Sequence, residues 1–293
     1  MQRQEKYEWL RLIWTNGMTF AMAKTLLTEI GLPEVIFSSS FEQLLPLIPE
    51  SVAWRLKQKI DRDIHDRIES CLSWLESTPN ADMVTLIDSR YPKMMLTLPE
   101  PPLVFFVWGN TSCLQQRMVS LVGSRQPSVE GGDLSRSWSL SLAQRKIAIV
   151  EGLSEGVERE ALRGAWKSKD SRVILVVDKG FASYAQEPLV KLMSEQHLVV
   201  SLQGPFDGQD NRCYWECRNR LLLGLCSSFV LVQASARSRS LTLLREALDL
   251  GRCVMAVPGS IHSPLSKGPH RLIKQGARLV ETTSEVIEEM GYG

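Results

Sequence analysis

The sequence predicts an α/β protein: an extended Rossmann-like, mostly parallel sheet with helices on both faces, preceded by a small all-α domain. Three observations carry this. From residue 82 onward, short continuous apolar runs alternate with amphipathic stretches, the pattern of parallel strands covered on both faces. The first 78 residues instead place their apolar side chains at helical spacing. A chain of 293 residues is also long enough for two ordinary domains, here expected as a helical unit over 1–80 and a sheet unit over 81–293.

The helical unit opens with Tyr7, Leu10, Leu12, Ile13 and Trp14 in one cluster. The stretch NGMTFAMAKTLLTEIGLPEVIF follows, a Gly turn, a helix with Ala21, Ala23, Leu26 and Leu27, and a Gly-Leu-Pro stop. LIPESVAWRLKQKI repeats that theme, and DRDIHDRIESCLSWLE places Ile64, Ile68, Cys71, Leu72 and Leu75 on one helical face. The plain reading is a small bundle. The sharper one is a pair of helix-hairpin-helix-like units, although the turn lacks a Gly-x-Gly donor pair. Residues 83–110 then add two strand-like runs, expected at a sheet edge. The alternation proper takes strands over 118–122, 147–150, 173–177, 198–200, 229–232 and 254–257. Helices are expected between them, such as 133–144, 156–167, 218–226 and 239–250.

Composition bounds the function. Net charge is +1, so any polyanion surface must be local. No run of 18 apolar residues predicts a membrane span, and the charged start MQRQEKYEWL does not read as a signal peptide. The six scattered cysteines then read as reduced thiols of a cytoplasmic protein. Cys213 and Cys217 share a helical spacing but have no second Cys/His pair, which argues against zinc.

In an open α/β sheet, ligands bind where the strands end. The loops there are rich in Gly, Ser and Arg. GSRQPS after 118–122 supplies Gly123, Ser124 and Arg125, with a helix N-terminus beyond as a further anion donor. QASARSRS after 229–232 supplies Arg237, Ser238, Arg239 and Ser240, and PGSIHSPLSKG after 254–257 supplies Lys267. From Arg212 to Arg245 there are six arginines, no lysine and one acid, Glu216. Within that stretch Arg212, Trp215, Arg218, Asn219 and Arg220 join the candidate site, arginine for phosphate and tryptophan for stacking on bases. In CRNRLLLGLC, the two arginines are expected at the head of a helix, partly exposed toward the groove, with the leucines locking that helix to the sheet.

Catalytic motifs are missing. There is no G-x-G-x-x-G, no P-loop and no recognisable nucleophile–base arrangement around the four histidines. The reading is therefore binding without catalysis and without a cofactor.

These residues resemble a known family. VSLVGSRQPS, EGLSEGVEREAL, CYWECRNRLLLGL, VLVQASARSRSL and GRCVMAVPGS…KGPHRLIKQGA are similar, in order and spacing, to the DNA-processing protein A (Smf) family over about residues 83–282. The helical unit is similar to that family's SAM-like domain. The resemblance implies single-stranded DNA binding, a homodimer and delivery of the strand to a RecA-type recombinase. It implies that Ser124 and Arg125 match a Gly-Ser-Arg loop, Trp215 a Phe, Arg218-Asn219-Arg220 an Arg-Asn-Arg, and Ser238 and Ser240 a Ser-Gly-Ser loop.

The chain also departs from the pattern. Glu151 stands for Ser, Glu158 for Asp, Leu162 for His, Leu202 for Glu, Gln233 for an acid, Arg239 for Gly and His270 for Asn, and no winged-helix segment follows. Glu151 is expected to repel phosphate and Arg239 to attract it. Such departures suggest a specialised relative, with a second expectation: an antitoxin of a phage-defence pair that restrains a toxin, for example a phosphoribosyltransferase-like enzyme. A nucleotide-processing enzyme on the related fold ranks lowest, because its PGGxGTxxE loop is absent.

Overall fold

The computed structural model describes residues 1–169, 171–184, 186–206 and 214–291. Six helices come first: α1 (Arg3–Trp14), α2 (Phe20–Glu29), α3 (Pro33–Ser38), α4 (Phe41–Leu44), α5 (Glu50–Lys57) and α6 (Arg62–Ser77). Their limits follow from local chemistry. Thr19 caps α2 by accepting Met22 N, Ser40 and Gln43 form a capping box on α4, and Pro33 opens α3. Leu10, Leu12, Leu26, Ile36, Leu44, Leu56, Ile68 and Leu72 fill the space between the helices.

A nine-stranded sheet follows, in the order β1-β2-β6-β5-β4-β3-β7-β8-β9. Strands β1 (Ala81–Thr85) and β2 (Val104–Gly109) are antiparallel at one edge, and β2 also runs antiparallel to β6 (Leu198–Ser201). The others are parallel: β3 (Met118–Val122), β4 (Ala148–Gly152), β5 (Val173–Val176), β7 (Ser228–Leu231), β8 (Cys253–Ala256) and β9 (Arg278–Leu279). The continuous apolar runs are continuous because both faces are covered. Val119, Leu121, Ile149 and Leu175 face one core, with α7 (Val129–Gln144), α8 (Val157–Ala165), α9 (Pro188–Gln196) and the six N-terminal helices. Met118, Val122, Val150 and Ile174 face the other, with α10 (Tyr214–Leu225), α11 (Ser240–Asp249) and α12 (Lys267–Ile273). A last helix, α13 (Thr283–Glu289), is capped by Thr282.

Trp74 of α6 ties the helical layer to the sheet. It stacks on Phe181 at 5.5 Å and meets Trp108 of β2 edge-on at 5.7 Å. No described helix is long and apolar enough to cross a membrane. Burial pushes the Cys71 thiol up to about 12 and the Cys113 thiol up to about 11. These cysteines are core side chains, not nucleophiles.

The chain winds outward from β3 through β4, β5 and β6, then returns to lay β7 on the other side of β3. That reversal is the topological switch point, and it opens a crevice above the ends of β3, β4 and β7.

Candidate nucleic-acid interface

The crevice is a cavity of about 580 Å³. Its lining comes from three strand ends and two helices: Gly123 and Arg125 after β3, Ser154 and Glu158 after β4, and Ser235, Arg237, Ser238, Arg239 and Ser240 after β7. Trp215, Arg218 and Asn219 of α10 and Leu243 of α11 complete it.

The loops are tied to one another. Ser124 N donates to Gln233 O at 2.6 Å, and Val157 N donates to Ser124 O at 3.1 Å. Ser240 Oγ donates to Gly123 O at 2.9 Å. Gly156 holds φ near +82°, and a Cβ there would collide with the backbone of Ser124 and Arg125. The loop carrying Arg125 therefore rests directly on the start of α8.

The floor is charged and closed. Arg218 is 8% exposed and forms an ion pair with Glu158, also buried; its Nη1 donates to Asn219 Oδ1 at 3.3 Å. A Cβ at position 152 would overlap the guanidinium, so Gly152 makes the room that Arg218 fills. Arg218 Nε and Asn219 Nδ2 are buried without an acceptor among the described residues. Beneath them lies Glu151, fully buried inside β4. Its Oε1 accepts Leu121 N at 2.6 Å, and its Oε2 accepts Ser120 Oγ at 3.2 Å. The β3–β4 register pairs Met118 with Ala148 and Val119 with Ile149. Beyond those pairs the Glu151 carboxyl takes a strand N–H that a ladder carbonyl would otherwise hold. Burial, reinforced by the charge of Glu158, raises its pKa well above the ordinary carboxylate range.

The rim is open. Arg125, Arg237 and Arg239 are exposed, and none has an ion pair or side-chain hydrogen bond with a described residue. Trp215 is half-buried between them and the floor.

Several placements differ from the sequence expectations. Arg218 is not exposed toward the groove, because Glu158 neutralises it below the surface. Arg220, two residues on, turns away from the cavity and pairs with Glu100 at 3.2 Å. Glu151 was expected to sit in a loop and repel phosphate, but it lies inside a strand with its carboxyl spent on β3. Ser124 is not on the lining; its Oγ accepts Gln126 N at 3.1 Å. The N-terminus of α7 is occupied by its own caps: Ser128 Oγ accepts Gly131 N, and Gln233 Oε1 accepts Ser128 N. Lys267 folds onto its own loop, donating to Ile261 O at 2.6 Å. Arg212 lies outside the described residues. Sequence reasoning did not bring Ser154, Ser235 or Leu243 to the site, and noted Glu158 only as a departure from the family pattern. The one signal for Glu158 was a charged residue among the apolar positions that start a helix.

These features define a doubly wound α/β protein whose switch-point cavity is floored by a closed ion pair and rimmed by unpaired arginines. The model of a family described as DNA recombination-mediator protein A matches residues 82–291, and the chain belongs to that family. It is 34% identical to protein Smf of Escherichia coli over 77% of this chain and 61% of the relative, so it spans less than two thirds of that relative's length. It is 32% identical to the DNA processing protein DprA of Streptococcus pneumoniae over 71% of this chain and 74% of the relative. The X-ray structure of the Streptococcus pneumoniae protein superposes with a TM-score of 0.78 at 27% identity, covering 99% of this chain and 98% of that one. A Helicobacter pylori DprA structure, concerned with its binding of single-stranded DNA, shares the fold at TM-score 0.61 and 20% identity, over 72% of this chain and 95% of that one.

Proposed function

We propose that this chain holds single-stranded DNA at the switch-point cavity and performs no chemistry on it. The observation that carries this reading is the rim: Arg125, Arg237 and Arg239 are three exposed guanidiniums around one cavity, without an acid among the described residues to spend them on. Planar, bidentate donors of this kind suit phosphate oxygens. Trp215 offers an aromatic face beside them. A concave site of this volume admits unpaired nucleotides, whereas paired bases stay inside a duplex. Among the described residues the lining holds one carboxylate, Glu158, and Arg218 occupies it, so none of them offers the cavity a free general base. The relatives' DNA-processing names and the single-strand binding of the Helicobacter pylori protein support the same reading. A homodimer and transfer of the strand to a RecA-type recombinase go with it as part of the proposal. None of these observations favours a toxin-restraining role.

The test is fluorescence anisotropy with a labelled oligo-dT strand and a matching duplex, at low and at physiological salt. The expected result is tighter binding of the strand, weakening as salt rises. Absence of binding at both salts overturns the reading.

A further inference from the structure

A second cavity of about 590 Å³ shares Trp215 and Asn219 with the first and is not lined by Arg125, Arg237 or Arg239. Its floor is apolar: Leu98 and Leu223 are buried and Leu250 is half-buried. Its walls are acidic, carrying Glu100, Glu216, Glu246 and Asp249. Among the described residues its single cation, Arg220, is already paired with Glu100 at 3.2 Å. Partial desolvation, then the neighbouring charges of Asp249 and Glu216, push the Glu246 carboxyl above its ordinary value. Asn219, 3% exposed, lines this cavity too; its Oδ1 takes Arg218, and its Nδ2 is buried without an acceptor among the described residues.

We propose that this acidic, apolar-floored cavity receives a cationic segment of a protein partner, in which Lys or Arg flanks an apolar residue. Each part of the site has its complement in such a segment. The acids of α10 and α11 take the cations, the leucine floor takes the apolar side chain, and a backbone carbonyl satisfies Asn219 Nδ2. A phosphodiester strand is repelled by the same acids. A bare metal ion is a poor occupant: among the described residues, no group of three His, Cys, Asp or Glu side chains is placed to hold one. An amide N–H also cannot ligate a cation. The proposal does not rest on the nucleic-acid reading, since the two cavities share only Trp215 and Asn219.

The experiment uses the full chain and a fluorescein-labelled peptide of alternating Lys and Leu, with a Lys-Gly peptide of equal charge as control. Anisotropy is read at physiological salt, and oligo-dT binding is measured in parallel. The expected result is that the Lys-Leu peptide binds, while the Lys-Gly peptide binds about tenfold more weakly for want of the floor. The double variant Glu246→Gln/Asp249→Asn loses about tenfold in peptide affinity, and Arg239→Ala leaves it unchanged. Both acids are exposed on α11, so the variant keeps the fold. Absence of peptide binding up to about 1 mM, equal binding to the double variant, or loss of binding in Arg239→Ala each overturns the proposal. Oligo-dT affinity within about twofold of the parent in the double variant keeps failure here separate from failure of the DNA reading.

Discussion

The floor and the rim of the switch-point cavity are built from the same residue type and do opposite things. Arg218 on the floor is buried, paired with Glu158 and packed over Gly152. Arg125, Arg237 and Arg239 on the rim are exposed and uncommitted to any described residue. A guanidinium that has given up its water must be matched inside the protein, while one that keeps its water remains available to a ligand. An arginine-rich stretch in a sequence therefore mixes architecture with recognition, and only the position of the acids separates them.

The largest expected effect is on the floor. Glu158→Ala leaves Arg218 buried without its counter-charge and costs on the order of 3–5 kcal/mol of folding stability. Urea unfolding of parent and variant measures it; a variant as stable as the parent abolishes the distinction between floor and rim. Next comes Gly152→Ala, whose methyl group meets the Arg218 guanidinium and costs about 1–3 kcal/mol by overpacking. The same unfolding curves read it out.

The rim behaves differently. Arg239→Ala leaves stability within about 0.5 kcal/mol of the parent. It weakens oligo-dT binding and lowers the salt slope by about 0.7, the share of one single-strand phosphate. An unchanged slope removes Arg239 from the interface.

Glu151→Gln gives the smallest and most pH-dependent effect. Burial raises the folded pKa of Glu151, so the folded state keeps a proton that the unfolded chain releases above about 4.3. Its contribution is complete below that pH and falls as pH rises through the folded value. Glutamine keeps the acceptor for Leu121 N and cannot ionise, so the variant gains on the parent as pH rises. Thermal unfolding at pH 5 and pH 8 checks the sign, and a variant that loses stability relative to the parent between the two contradicts it.

Much of the fold was legible because strands buried on both faces are apolar over most of their length, and β3 through β8 are, with Ser120, Glu151, Ser201 and Ser228 as their buried polar members. The strand-end rule likewise gathered Gly123, Arg125 and the Arg237–Ser240 loop, and the arginine-rich stretch from 212 to 245 added Trp215. The misplacements of Arg218 and Arg220 share one cause, a partner far away along the chain. Glu158 reaches Arg218 from 60 positions away, and Glu100 reaches Arg220 from 120. No local pattern announces such pairings. Glu151 misled for a different reason. The apolar run stops at Val150, which reads as the end of a strand, yet β4 continues to Gly152 with a carboxyl bonded across to β3.

The contact of Trp74 with Phe181 and Trp108 also sets a timetable. Chains leave the ribosome N-terminus first. The six helices are complete well before Phe181 has been synthesised, about a hundred residues later. Strand β2 waits as long for β6, its antiparallel neighbour. Until then the nascent chain carries an aromatic face without a cover and a strand edge without a partner, the two features that invite association with other chains. A ribosome stalled before residue 198 should therefore hold its most aggregation-prone intermediate, and translation through β6 should end that exposure.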